Sequence, residues 1–362
     1  MHHPRSVGLQ LWCASQRTLC HRGVLPSTRA LCKCKRAPPR PLVLSAACAF
    51  SSSPDVQHRL SSASAVLHET RGTWATAAYL GQPTHGTHPH WLADGELMPG
   101  IHKSEFELRR QQLFADLLEF LYDKASAPAD SALLVLVPAA AVHYCAPDVP
   151  YRFRQDSDFL YLTGFTEPES MLAIYRLSDT EQAKCCLFVR KRDAKRQLWD
   201  GPRATVDGVT EFTGVHETRT TDTLLRFCQE FIESSSPARF VCACPSKLAP
   251  REVSFLMDAV KNEQLSLAPI ENGPQKFIHR LRWLKSPGEQ NLIRKACQKG
   301  AEALANVIAY ARPGMVEWEL VGRMEHEARA RHCAQLAYPP VVGSSHRANI
   351  IHYMHADHVS AL

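Results

Sequence analysis

Three histidines close the chain at every third position, His352, His355 and His358, a spacing that could turn imidazoles toward a divalent metal from one helix face. Nothing after them stops a helix or packs against it, so the ordinary reading is a frayed tail. Cys32 and Cys34, and Cys242 and Cys244, offer paired thiols one residue apart, a weak metal signal in a chain whose 13 cysteines form no regular framework. Reduced and mostly buried thiols are expected instead. His326-Glu327 opens like a zinc-protease helix, yet Ala328-Arg329-Ala330 follows and no second imidazole arrives one turn on. A dinucleotide fingerprint, a P-loop and a nucleophile elbow are all missing from the sequence, which leaves nucleotide binding, phosphoryl transfer by a P-loop and serine hydrolysis unsupported. Arg154, Gln155, Asp156 and Asp158 crowd directly before the apolar run Phe159–Leu162 and read as a loop tied by hydrogen bonds. Trp199 and Arg203 flank a tight Asp200-Gly201-Pro202 turn.

The elements that would carry these residues alternate between helix and strand. Ser104-Glu105-Phe106-Glu107 is a capping box, and Phe106, Leu113, Phe114, Leu117 and Leu121 recur at helical spacing behind it. Ala132–Val137, Phe159–Leu162, Met171–Tyr175, Cys186–Arg190 and Arg239–Ala243 read as short strands. Thr221–Ser234 and Glu252–Lys261 read as helices. Ser286-Pro287-Gly288-Glu289 is a second capping box with proline at the first helical position. The helix it opens should run to about Ala311, with Leu292, Ile293, Ala303, Leu304, Val307 and Ile308 facing inward, followed by a helix over Glu317–Arg331. Such alternation predicts an α/β layer, helices packed on a mixed sheet.

The chain has 362 residues, 45% hydrophobic and 22% charged, enough for about two domains. Its net charge of +6 is confined to one end: residues 1–54 carry eight Lys or Arg and no acid, leaving 34 basic and 36 acidic groups for the rest. A basic body for nucleic acid is therefore excluded as the default. No stretch reaches the 18 or so apolar residues of a membrane span. The acid-free, Arg- and Ser-rich segment 1–50 has the composition of a mitochondrial transit peptide, and the Ser-, Thr- and Ala-rich 51–78 reads as a linker.

Four segments together resemble one family, the aminopeptidase P enzymes of the M24 metallopeptidases. Tyr151–Pro168 and Arg192–Arg203 resemble the two signatures of its N-terminal domain. Leu281–Glu289 resembles the start of its catalytic domain, and Ala337–Tyr353 its first substrate-site segment. Tyr79–His85 with Thr87–His90 is similar to the mitochondrial member. The resemblance implies an RNase H-like N-terminal domain over 79–272 and the incomplete start of a pita-bread domain over 273–362. It implies cleavage of the bond between an N-terminal residue and a following proline in peptide substrates, with two manganese ions per active site. It also implies a homodimer formed through the N-terminal domain. Tyr338 matches the family's substrate-contacting tyrosine, and His352 the catalytic histidine beside the metals that meets the substrate carbonyl. The five family metal ligands would lie beyond Leu362, so no metal is expected on this chain, which should be inactive alone. The alternative is a non-catalytic dimerisation or binding module, or a truncated isoform. Ser344-Ser345-His346 departs from the Gly-Gly-Asn more usual in the family.

Overall fold

The computed structural model describes residues 81–360, apart from 129, 179–180, 205, 235, 237 and 271–272. The expected transit peptide, the linker and five of the cysteines lie outside these residues.

Strand β3 (Ser131–Pro138) is buried along its whole length, and its alternate side chains enter two different cores. Leu133, Val135 and Val137 pack with Leu113, Phe114, Leu117 and Leu121 of helix α1 (Lys103–Ala125). Ala132, Leu134 and Leu136 pack on the other face with Leu224, Phe227, Phe231 and Leu256. The period of two along a strand thus makes one eight-residue run the centre of a three-layer α/β sandwich. Around β3 the chain adds β6 (Met171–Arg176), β7 (Lys184–Val189), β8 (Glu217–Thr220), β9 (Ala238–Ala243) and β10 (Ser266–Leu267). The six-stranded order is β10-β9-β3-β6-β7-β8. β3 pairs antiparallel with β6 and parallel with β9, with Val135 opposite Ile174 and Cys242, so the sheet is mixed as expected. Two short hairpins stand outside it, β1 (Glu96–Met98) with β2 (Ile101–His102), and β4 (Tyr144–Ala146) with β5 (Val149–Pro150).

Two local expectations are corrected. Phe159–Leu162 is not a strand but the body of α2 (Ser157–Thr163). Asp156 caps it, accepting from the amides of Asp158 at 2.9 Å and Phe159 at 3.0 Å, and Gly164 at φ +64° ends it. Phe159 and Leu162, three apart, then fall on one buried face. Helix α1 begins one residue before Ser104, because β2 runs straight into it and His102 Nδ1 accepts from the Ser104 amide. The short helices α3 (Ala194–Asp200) and α4 (Val206–Thr213) are too brief to show a readable helical period and add two elements to those expected. The layer over the second core is α5 (Leu224–Ile232) and α6 (Pro250–Lys261), and it matches expectation closely.

Helix α7 (Gln275–Trp283) returns to the first core through Phe277 and Ile278. Helix α8 (Pro287–Tyr310) starts at Ser286 with the expected reciprocal box: Ser286 Oγ accepts from the Glu289 amide at 3.2 Å, and Glu289 Oε2 accepts from the Ser286 amide at 2.9 Å. Its start lies close to the β1–β2 turn, where a Cβ on Gly288 would come within 2.4 Å of the Gly100 carbonyl oxygen. Along α8 the expected inner face is only partly covered: Ala303 and Val307 are buried, whereas Ile293, Leu304 and Ile308 are exposed. Helix α9 (Glu317–Ala330) packs on α8 and buries Leu320 and Ala328. Among the described residues no helix is long and apolar enough to cross a membrane.

Candidate functional site

The Ala337–Tyr353 segment leaves α9 through a turn at His332 (φ +62°) and runs as irregular chain with one short 3-10 turn, Ser345–Asn349. Ile350–Tyr353 does not form a strand; its amides bond locally, Ile350 N donating to Arg347 O at 3.0 Å and Tyr353 N to Ile350 O at 3.3 Å. Tyr338 is 73% exposed, on a cleft of about 250 Å³ that it shares with Arg152, Arg154 and Pro340. The Arg154 guanidinium reaches across from the N-terminal domain and donates to the Ala337 carbonyl at 2.6 Å. His352 is also exposed and does not line that cleft, so the two expected substrate-side residues stand on separate parts of one loop.

What orders this loop is a residue the sequence did not mark. Glu317, the first residue of α9, is wholly buried, and its carboxylate is surrounded by donors from the loop. Oε1 accepts from the Ser344 amide at 2.8 Å, Ser344 Oγ at 3.0 Å and Arg347 Nε at 3.1 Å; Oε2 accepts from the Tyr353 hydroxyl at 2.8 Å. Burial alone would push the Glu317 carboxyl up, but the Tyr353, Ser344 and Arg347 donors outweigh it and hold it down at about 2. Burial, then the neighbouring Glu317 charge, pushes the Tyr353 phenol up. His352 therefore precedes a tyrosine that is fixed from below.

The last described residues, to Ser360, are pinned rather than frayed. Gly314 N donates to Ser360 O at 3.0 Å, Ser360 N to Met315 O at 2.7 Å, and Glu317 N to His358 O at 2.9 Å. His352, His355 and His358 do not share a helix face, and His358 Nδ1 lies 2.7 Å from Asp357 Oδ1. Glu327 of α9 is likewise engaged: Asn306 donates to it at 2.8 Å, and with Arg331 and Arg323 beside it the carboxyl sits at about 2.

The polar cluster at the start of α2 ties that helix to the chain after β9 and to α7. Asp158 is buried and accepts from Arg282 at 2.6 Å and Lys247 at 3.4 Å, with His279 Nε2 at 3.4 Å. Gln155 ties Ala140, Phe165 and Glu167 backbone groups, the loop-tying role its type suggested. Burial works against the Asp156 carboxylate, yet Lys247 and the two capped amides outweigh it and lower its pKa. Arg109 of α1 bridges Glu105 and the cap residue Glu289 while lying 4.2 Å from the Tyr161 ring. Trp199 is 87% exposed on α3, and Arg203 pairs with Asp200 at 3.2 Å across the Gly201 turn.

Among the described residues, no group of three or more His, Cys, Asp or Glu is placed to hold a metal ion. Of the buried carboxylates, Glu317, Glu327 and Asp158 are taken up by the donors just named, Glu167 accepts from the Ala204 amide and Glu252 from the Ala249 amide, and burial raises Cys242 to about 12, far from a thiolate ligand. The described residues do not fit a two-metal centre, and no step through a metal is derived from them.

Comparison with known proteins adds two family matches: the aminopeptidase P N-terminal domain over residues 106–240 and metallopeptidase family M24 over 291–361. Xaa-Pro aminopeptidase 3 of Homo sapiens is 34% identical over 278 residues, 76% of this chain and 54% of that protein. The mitochondrial intermediate cleaving peptidase 55 of Arabidopsis thaliana is 28% identical over 282 residues, 78% of this chain and 52% of that protein. A zinc-substituted E. coli aminopeptidase P in complex with product aligns at a TM-score of 0.61 and 27% identity, covering 72% of this chain and 57% of that one. The chain spans about half the length of the curated relatives it matches. Fold and matches together define an aminopeptidase P N-terminal domain joined to the start of an M24 metallopeptidase domain. The chain belongs to the aminopeptidase P family.

Proposed function

We propose that this chain supplies the N-terminal domain and the first substrate-facing segment of a Xaa-Pro aminopeptidase, an enzyme that removes an N-terminal residue preceding proline. The observation that carries this reading is the Ala337–Tyr353 loop: an uncovered Tyr338 ring on a cleft, and His352 next to a tyrosine fixed by Glu317. In this role Tyr338 contacts the substrate and His352 faces the scissile carbonyl; the proposed enzyme would draw its hydrolytic power from two divalent cations, manganese in this reading, which the described residues are not placed to hold. A X–Pro bond is a tertiary amide with no N–H to grip, so recognition falls on shape and on the carbonyl, which suits an aromatic wall and an imidazole. The proposed domains are 79–272 and 273–362, with residues 1–50 directing the protein to mitochondria and the N-terminal domain forming a homodimer.

The same reading proposes that the 362-residue chain alone does not turn over Xaa-Pro peptides. The test is titration of the isotope-labelled chain with an Arg-Pro-Pro peptide, together with a manganese-supplemented assay for released arginine. Perturbation confined to Tyr338, His352 and their neighbours without turnover is expected. No perturbation there would sink the substrate-facing assignment, and turnover would sink the proposed inactivity.

A further inference from the structure

We infer that Arg154, a residue of the N-terminal domain, is a positioning residue for Tyr338; the inference rests on the reading of Tyr338 as substrate-facing. The Arg154 Nη1 donates to the Ala337 carbonyl at 2.6 Å, a contact between residues 183 positions apart in the chain. The atom it grips is the informative feature. The peptide unit is planar, so holding the oxygen of residue 337 also sets the nitrogen and Cα of residue 338. On its other side Tyr338 precedes Pro339, which confines it to extended backbone, and Pro340 follows with its own φ fixed. The backbone of Tyr338 is thus held from both ends, and its side chain keeps only the two torsions of the ring.

The ring itself is left 73% exposed. A core tyrosine shows the opposite arrangement, a covered ring and an ordinary backbone. A fixed backbone under an uncovered ring is what a side chain awaiting a ligand requires, because the cost of ordering it is met before the ligand arrives. The cleft beside it is closed on the N-terminal-domain side by Arg152 and Arg154, and on the other by Leu336, Tyr338 and Pro340. Arg154 is suited to the task. Its planar fork keeps further N–H groups free to point into the cleft while one is spent on the carbonyl, and a charged donor to a carbonyl is shorter and stronger than a neutral one. The N-terminal domain therefore shapes the substrate-facing wall within the same chain rather than only supporting the fold.

The experiment compares the 362-residue chain with Arg154→Met, Arg154→Gln and Arg154→Lys. Amide order parameters of residues 335–343 read the loop, hydrogen exchange of β3 reports the fold, and titration with the Arg-Pro-Pro peptide reads the surface. Arg154→Met and Arg154→Gln should lower the order parameters of the loop amides from about 0.85 to below about 0.6, with β3 exchange unchanged. Arg154→Lys, which retains a cationic donor, should restore most of the order. Unchanged order parameters in Arg154→Met, or equal loss in the Lys and Met variants, would overturn the inference. Peptide perturbation at Tyr338 that weakens in Arg154→Met and recovers in Arg154→Lys is the expected binding result. A wild-type chain that shows Arg154-dependent order but no peptide perturbation would instead overturn the substrate-facing reading and leave the positioning contact standing.

Discussion

Glu317 accepts from four donors of the loop that follows its helix, while its own amide donates to His358. In the sequence it is one of two glutamates opening a helix, where a carboxylate ordinarily sits in water and complements the helix dipole. Nothing in Met315-Val316-Glu317-Trp318 shows that this side chain turns inward; the partners that make it do so lie 27 to 36 residues away. Tyr338 and His352, the proposed substrate-facing residues, rest on the family resemblance alone, whereas the loop-tying role of Gln155 followed from residue type. The Glu317 network has a pH signature. Its carboxyl is held at about 2 against a usual 4.5, so the unfolded chain takes up the proton first. The contribution is whole above about pH 4.5, shrinks below it and is gone once the pH has fallen through 2. A carbon-13 titration of the Glu317 carboxyl should therefore show a midpoint near 2, and a midpoint near 4.5 would mean the network is not formed. Glu317→Ala leaves buried donors unpaired and should lower the unfolding temperature by several degrees and free residues 344–353 to exchange; Glu317→Gln, which keeps an acceptor, should do less.

At the level of single elements, legibility followed how local the decisive interactions are. The α8 start is written within four residues, Ser286 to Glu289, and forms as read. The Phe159–Leu162 run is too short for periodicity to separate strand from helix. Its outcome is set by Asp156 at one end and Gly164 at the other, signals that were present but outweighed by the apolar run. This assigns a testable role to Asp156. Asp156→Ala should destabilise the chain by about 1 kcal/mol or somewhat more, the usual range for a lost N-cap. Asp156→Asn keeps a capping oxygen, loses only the ion pair to Lys247, and should cost less. Urea unfolding followed by circular dichroism separates the two; equal losses would show that the ion pair, not the cap, is what α2 depends on.

Over the whole molecule, the α/β architecture was readable because β3 and its neighbours are apolar runs between amphipathic helices, but strand order was not, since β9 and β6 reach β3 from distant positions in the chain. The same pattern reasoning gave α8 an inward face that the described residues cover only at Ala303 and Val307. Ile293, Cys297, Leu304 and Ile308 lie at spacings of four, seven and four along α8 and form one exposed stripe. Exposed apolar area of this kind favours self-association as concentration rises. Leu304→Glu with Ile308→Glu places charge on the stripe without entering either sheet core, at positions 51% and 67% exposed. The doubly substituted 362-residue chain should scatter less light than wild type at matched high concentration, and its urea midpoint should move by no more than about 0.5 kcal/mol in stability, as expected for surface changes. A loss of about 2 kcal/mol or more would place the stripe inside a packed interface instead. Unchanged scattering would show that association, where it occurs, proceeds through another surface.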